Sequence, residues 1–393
     1  MPAPGVAAAR AAFDLGPPSE HCYINAAGRS PLLKASHAAA TAAVGMKLRP
    51  WEFGDADAPR AKELFASHLG APATAADVAV CPSAAYAIST VAANIQLAAG
   101  DEVVLLEEHY ASVLPWQHAA ELAGAAVVAV PRALGPQAAG TPSITDALLR
   151  AITPRTAVVT AAPCGWTDGA VVDLVAVSAA CRAVGAALIL DATQWVGAMP
   201  LDLTAIQPDA VVVSVHKWFL GLYSFAFLYL APEGAVGRTM GSVWAKSGVP
   251  IEHHDRNRVG SDDWDNGRFF TAGGDDADSN IERGEGELGF PRTFVEGAAR
   301  YDMGGRPNVV LYPPLILSME WLHTAGGAAA IGPALRPMTQ YVAREAARLG
   351  FTVPEHHSDH IVGIYPDPAR GMPGADWLVA RLSVFSVYIK ILQ

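Results

Sequence analysis

Two short stretches of the chain carry side chains able to do covalent and acid–base chemistry. In LILDATQW, Asp191 closes an apolar run and Gln194 follows three residues later. In VVVSVHKWFLG a second apolar run closes at Ser214, and His216 and Lys217 come next, ahead of Trp218, Phe219 and Leu220. A lysine amine becomes a covalent catalyst when it condenses with an aldehyde, so Lys217 asks what aldehyde it would meet.

Two other stretches supply complementary groups. CPSAAYAISTVAAN reads as a strand-to-helix junction whose free amides at Ser83, Ala84 and Ala85 suit an anion. EEHYASVLPW follows the apolar run EVVLL and places Tyr110 where an aromatic ring could stack on a flat ligand. Together these match the needs of pyridoxal 5′-phosphate. That cofactor calls for a Schiff-base lysine (Lys217), a carboxylate against the pyridine nitrogen (Asp191) and a group near the phenolic oxygen (Gln194). It also calls for a phosphate cup (Ser83 to Ala85, Ser214, His216) and a ring-stacking partner (Tyr110). Singly, each residue has a plainer role. Asp191 or Ser83 could cap a helix, His216 could be a satisfied imidazole, Tyr110 could be core, and Lys217 could snorkel from an edge. The case rests on all of them occurring in order on one edge of one sheet.

That sheet follows from the pattern of short apolar runs. DVAV, EVVLL, AAVVAV, TAVVTA, AALIL and AVVVS are β-branched segments of strand length, mostly separated by helical stretches. This alternation specifies an α/β fold with a mostly parallel sheet covered on both faces, and ligands then bind outside the carboxyl ends of the strands. Only Gly221, Leu222 and Tyr223 separate Leu220 from SFAFLYL, too short a link for a parallel crossover, so it should run antiparallel. LLKASHAAATAAVGMKL and DAPRAKELFASHL read as helices, SITDALLRAI opens with a capping box of Ser143 and Asp146, and Gly185 closes another helix.

Composition excludes several classes. The chain has 393 residues, 51% hydrophobic and 17% charged, which is a globular balance. A net charge of -11 without clustered Lys or Arg argues against a nucleic-acid surface. No apolar run reaches the roughly 20 residues of a membrane helix, and no secretory leader precedes the fold, so a cytoplasmic protein is expected. The four cysteines are scattered without a C-x-x-C, giving neither a zinc site nor a disulfide framework. Residues 261–289 hold nine acids and two arginines. DADSN with Glu287 imitates a calcium loop, but Ile281 stands where glycine is required and no helices flank it, so the segment reads as a solvated insertion. His253, His254, His356, His357 and His360 read as surface or hinge residues, and no metal is assigned. No strand is followed by G-x-G-x-x-G, which counts against a nicotinamide dehydrogenase.

The ordered set PSAAYA, EEHY, W-T-D-G, LDATQ and SVHKW resembles the class V aminotransferase family of pyridoxal-phosphate enzymes, which includes cysteine desulfurases, kynureninases and isopenicillin N epimerase-like proteins. YINAAGRSPL and ARYDMGGRPN also resemble family segments, so the likeness runs from about residue 21 to 390. It implies fold type I with a seven-stranded sheet, a small-molecule amino substrate, and a homodimer in which the Gly304–Gly305 loop reaches the partner's cofactor. It further implies an N-terminal arm over 1–20, a large cofactor domain over 21–312 with an insertion at about 250–290, and a small C-terminal domain over 313–393 that looks incomplete.

Departures narrow the activity. Desulfurase-like members carry a histidine where Tyr110 stands and a reactive cysteine in the C-terminal third, whereas no cysteine follows Cys181 here. A thiol must attack the substrate sulfur in that chemistry. Where those relatives have an asparagine near the ring, GWTDG offers Trp166, as in epimerase-like members. Amino transfer, epimerisation and elimination remain open. The sequence stops at SVYIKILQ, before the arginine with which relatives grip a substrate carboxylate. The expectations therefore divide between a fragment, substitution by Arg306 or another residue, and a relative that binds cofactor, or serves as a scaffold, without turnover.

Overall fold

A computed structural model describes residues 6–17, 22–52, 57–107, 110–131, 143–232, 248–251, 294–304, 308–367, 370–372, 374 and 387–388. The acidic segment 261–289, Gly305 and Arg306 lie outside them, as does the side chain of Tyr110.

The strands are β1 (Cys22–Tyr23), β2 (Val78–Cys81), β3 (Glu102–Leu106), β4 (Ala126–Val130), β5 (Thr156–Ala161), β6 (Ala187–Asp191), β7 (Ala210–Ser214), β8 (Ala226–Leu230) and β9 (Val387–Tyr388). The helices are α1 (Val6–Ala11), α2 (Lys34–Met46), α3 (Asp57–Leu69), α4 (Ala84–Asn94), α5 (Tyr110–Ala123), α6 (Ile144–Ala151), α7 (Leu174–Val184), α8 (Leu203–Ile206), α9 (Tyr312–Thr324) and α10 (Ala328–Arg348).

A seven-stranded sheet in the order β2-β8-β7-β6-β5-β3-β4 forms the centre, and β1 pairs separately with β9. Within the large sheet β8 alone is antiparallel to its neighbours β2 and β7, as the short link after Leu220 requires. Every apolar run read as a strand is one.

The pleat sends alternate side chains to opposite faces. Val103, Leu105, Val158, Ile189, Val212 and Leu228 pack with Ile88, Val91 and Trp116 of α4 and α5. Val104, Leu106, Val159, Leu188, Val211 and Phe227 pack on the other face with Phe65 of α3, Val177 of α7 and Leu315 and Met319 of α9. Burial on both faces is why these strands read as continuous apolar runs rather than as alternating ones.

The local signals hold as well. Ser143 and Asp146 make the reciprocal capping box of α6, and Gly185 ends α7 in the left-handed region at φ 75°. Strands β2, β3, β5, β6 and β7 all run in one direction, so the residues following each of them collect along one edge. No described helix is long and apolar enough to cross a membrane.

Candidate active site

Adjacent parallel strands β6 and β7 end side by side at Asp191 and Ser214, with Asp191 opposite Val212 in the register. The loops leaving them are tied together. The Thr193 backbone N–H donates to Asp191 Oδ1 at 3.1 Å, and the Thr193 hydroxyl accepts from the Ser214 N–H at 3.0 Å. One residue thus fixes both the aspartate and the start of the lysine loop. Among the described residues, Asp191 Oδ2 carries no hydrogen bond, which leaves the outer face of this half-buried carboxylate open to a ligand.

Gln194 is buried and its amide bridges three segments. Nε2 donates to the Ala27 carbonyl at 2.9 Å, and Oε1 accepts from the Trp218 indole N–H at 2.9 Å. The second amide proton of Nε2 stays available to an acceptor such as a phenolic oxygen. Gln194 is thus joined to the lysine loop through Trp218.

Lys217 sits in a turn that the core holds in place. Leu220 N–H donates to the Lys217 carbonyl at 3.1 Å, Gly221 N–H donates to Val215 O at 2.9 Å, and Leu220 adopts φ 56°. Few non-glycine residues take that conformation unless their surroundings impose it. Phe219 supplies the restraint. It is fully buried, with its ring 5.8 Å from Phe65 and 5.1 Å from His68. The half-buried Lys217 and Trp218 are thereby kept at the sheet edge.

His216 stands half-buried beside Tyr223 with ring centroids 5.0 Å apart, and its carbonyl accepts from the Ser30 hydroxyl at 3.0 Å. Burial, and then the neighbouring Lys217 ammonium, push its imidazole below the usual range. Ser214 is buried at the strand end.

The remaining predicted residues lie on the same edge, farther along the sheet. Ser83 caps the eleven-residue α4, its hydroxyl accepting from Tyr86 N–H at 3.1 Å, which is the plainer of its two expected roles. The amides of Ala84 and Ala85 belong to the first turn, where helical N–H groups lack intrahelical acceptors. Trp166 is half-buried in the turn after β5, and Tyr110 opens α5 after β3. This set contains an amine, a carboxylate with a free oxygen, an amide with a spare proton and a helix N-terminus, which suits an aldehyde-bearing, phosphorylated pyridine.

Residues 39–236, just over half of the chain, match the family described as Aminotransferase class-V. The chain belongs to that family. The motif resemblance is thus borne out, and pyridoxal 5′-phosphate is the family's cofactor. Among class V relatives, isopenicillin N epimerase of Amycolatopsis lactamdurans is 29% identical over 250 residues, covering 61% of this chain and 62% of that protein. A probable cysteine desulfurase of Vibrio cholerae is 31% identical over 163 residues, covering 40% of this chain and 39% of that one. The matched segments therefore span less than two thirds of these relatives. Among solved structures, the cystine C-S lyase C-DES superposes with TM-score 0.73 at 19% identity, covering 94% of this chain and 90% of that one. Cysteine desulfurase CsdA of Escherichia coli gives TM-score 0.68 at 20% identity, covering 90% and 80%. These likenesses establish the fold type I architecture.

Several residues of this class V site were not singled out from sequence. Thr193 and Trp218 stand inside the motifs that led to the site, but their roles depend on partners across the sheet edge. Ser30 and Ala27 bring the N-terminal segment onto the lysine loop and onto Gln194. His360 requires a correction. Read as surface or hinge, it is only 9% exposed, because its ring is packed edge-on against Trp218 and Trp195 and bonded to the Gln194 carbonyl. His356, by contrast, is exposed.

Proposed function

We propose that this class V protein binds pyridoxal 5′-phosphate covalently through Lys217 and acts at the Cα of an amino acid or amine, by amino transfer, epimerisation or elimination. The observation that carries the reading is the joint placement of Asp191, Gln194, Ser214, His216 and Lys217 at the ends of two adjacent parallel strands, cross-tied by Thr193. Once bound, the cofactor supplies an electron sink for the pair left at Cα when one of its bonds breaks.

The protein's own groups divide the remaining work. Asp191 would hold a proton on the cofactor's ring nitrogen through Oδ2, since a carboxylate there favours the charged form. Thr193 N–H keeps the carboxylate turned to present that oxygen. Gln194 Nε2 would donate its spare proton toward the phenolic oxygen. The α4 amides at Ser83, Ala84 and Ala85, with Ser214 and His216, take the phosphate. Tyr110 would be the stacking partner of the ring, with Trp166 near it. Lys217 would be the residue that holds the cofactor through its amine and, once released, the base that would move a proton at the substrate Cα.

The cysteines favour chemistry without a protein thiol. Cys81, Cys164 and Cys181 are buried, and the Cys164 thiol donates to the Gln194 carbonyl at 3.7 Å. Exposed Cys22 lies in β1, paired with β9. A buried, hydrogen-bonded thiol is a poor nucleophile.

The same reading includes a homodimer in which the loop at Gly304 and Gly305 approaches the partner's cofactor. The base of that loop is fixed to the end of β2: Met303 N–H donates to Val80 O at 2.7 Å, and Asp302 accepts from Val80 N–H at 2.8 Å.

The test is reconstitution with pyridoxal phosphate, followed by borohydride reduction and peptide mapping. The label is expected on Lys217, and the absorption band of the lysine-linked cofactor is expected to be lost in Lys217→Ala. An amino-acid panel, with and without a keto-acid acceptor, then separates transfer from epimerisation and elimination by product. Label on another lysine, or none, would refute the covalent reading. A band that no amine perturbs would instead identify a cofactor-binding protein without turnover.

A further inference from the structure

Residues 357–365 form a strap held on two sides. On one side it is fastened to the turn that carries Trp166 and Asp168. His357 bridges Ala170, Ser358 N–H donates to Gly169 O at 2.7 Å, and Gly363 N–H donates to Asp168 O at 3.1 Å. Tyr365 completes this attachment by donating its hydroxyl to Asp168 Oδ2 at 3.3 Å. The approach is close enough that a Cβ on Gly169 would stand 2.1 Å from the Ile361 carbonyl oxygen, and one on Gly363 would stand 2.5 Å from Asp168 Cβ.

On the other side the strap is fastened to α10. Arg336 grips Asp359 with two bonds of 2.9 Å each, and the Thr339 hydroxyl donates to the Asp359 carbonyl at 3.0 Å. His360 is the next residue, between these two attachments.

His360 reaches two site residues at once. Its Nε2 lies 2.5 Å from the Gln194 carbonyl oxygen. A carbonyl can only accept, so Nε2 carries the proton and Nδ1 is an acceptor. That Nδ1 is buried and has no partner. The ring centroid is 4.6 Å from Trp218 at 75° and 5.8 Å from Trp195 at 79°. Trp218 follows Lys217, and Gln194 stands three residues after Asp191; the two are joined through the indole N–H and Gln194 Oε1.

We propose that His360 is a positioning residue of the cofactor site, holding Gln194 and Trp218 in the arrangement that sets Asp191 and Lys217 against each other, so that docking of the strap completes the site. This rests on the reading of Lys217 as the cofactor lysine. An ordinary core role is disfavoured by the orphaned Nδ1. A phenylalanine would fill the same aromatic niche without a buried, unsatisfied acceptor, which ordinarily has a cost. What phenylalanine could not supply is the N–H to Gln194.

The chemistry selects the variants. His360→Phe keeps the ring packing and removes the donor. His360→Gln places an amide N–H where Nε2 stood. Wild type and Lys217→Ala are titrated first with pyridoxal phosphate, by equilibrium dialysis and by absorption. His360→Phe is expected to keep the wild-type urea midpoint while its pyridoxal-phosphate Kd rises about three- to tenfold, the worth of one hydrogen bond, with a displaced band for the lysine-linked cofactor. His360→Gln is expected to restore both. Should the Phe variant fail to fold, His360→Asn, too short to reach Gln194, replaces it with the same expectation.

Wild-type Kd and spectrum in the donor-less variant would overturn the positioning role, as would a Gln variant no better than the Phe variant. If wild type itself takes up no cofactor on Lys217, the functional reading fails and takes this inference with it. A normal Lys217 band combined with indifferent His360 variants removes only the inference.

Discussion

Thr193→Val isolates the tie between the ends of β6 and β7. The substitution keeps the branched shape and leaves the backbone N–H to Asp191 in place, but it deletes the hydroxyl that accepts from Ser214 N–H at 3.0 Å. Thr193 is 6% exposed and Ser214 is 8% exposed, so water cannot freely replace the lost acceptor. Leaving a buried N–H unsatisfied costs about 1–3 kcal/mol. The new methyl group offsets roughly 0.8 kcal/mol of this by burying more apolar surface. The net expectation is a loss of about 1–2 kcal/mol, read as a lower urea midpoint with an unchanged slope. Thr193→Ser retains the acceptor and should lose less than Thr193→Val. Because the tie also sets the start of the lysine loop, cofactor retention should fall in Val and hold in Ser. A Val variant as stable as wild type would refute the reasoning, as would a Ser variant that loses as much as Val.

Three further outcomes can be checked independently. His68 and His360 are each pushed down to about 4, burial being the first cause for both, from an unfolded value of 6.5. Between those values the unfolded chain binds more protons, so stability is full above pH 6.5 and is lost on acidification, complete near pH 4; each contributes roughly 3 kcal/mol. Urea midpoints measured across that window should fall steadily, and His68→Asn should flatten the curve. Lys62 and Asp302 pair at 2.6 Å, with side chains 11% and 31% exposed, and Asp302 also accepts from Val80 N–H. Asp302→Ala should therefore cost about 2–4 kcal/mol and also loosen the start of the Gly304 loop, seen as faster proteolytic cleavage there. Of the four cysteines only Cys22 is exposed, so a thiol reagent should label one site in the folded protein and four in denaturant.

Much of this architecture is legible in the sequence because parallel strands buried on both faces leave unbroken runs such as VVVS and LIL, which no exposed element would tolerate. The orientation of β8 follows from chain length alone, since three residues cannot cross a sheet. Asp191, Gln194, Ser214, His216 and Lys217 are legible for a related reason: each lies within three residues of a strand end, so local order in the chain determines position on the edge. The pairing of β1 with β9 and the burial of His360 have no such local determinant. His360 lies in EHHSDH, a polar cluster whose neighbour His356 is exposed, and its partner Gln194 is 166 residues away. A single polar contact across that separation imposes no period on the flanking residues, whereas a strand or helix imposes one on its whole length. The candidate groups therefore show in sequence through the regular elements that carry them. Those that merely hold such groups in register show only when an unpaired atom, such as Nδ1 of His360, is found in a dry place.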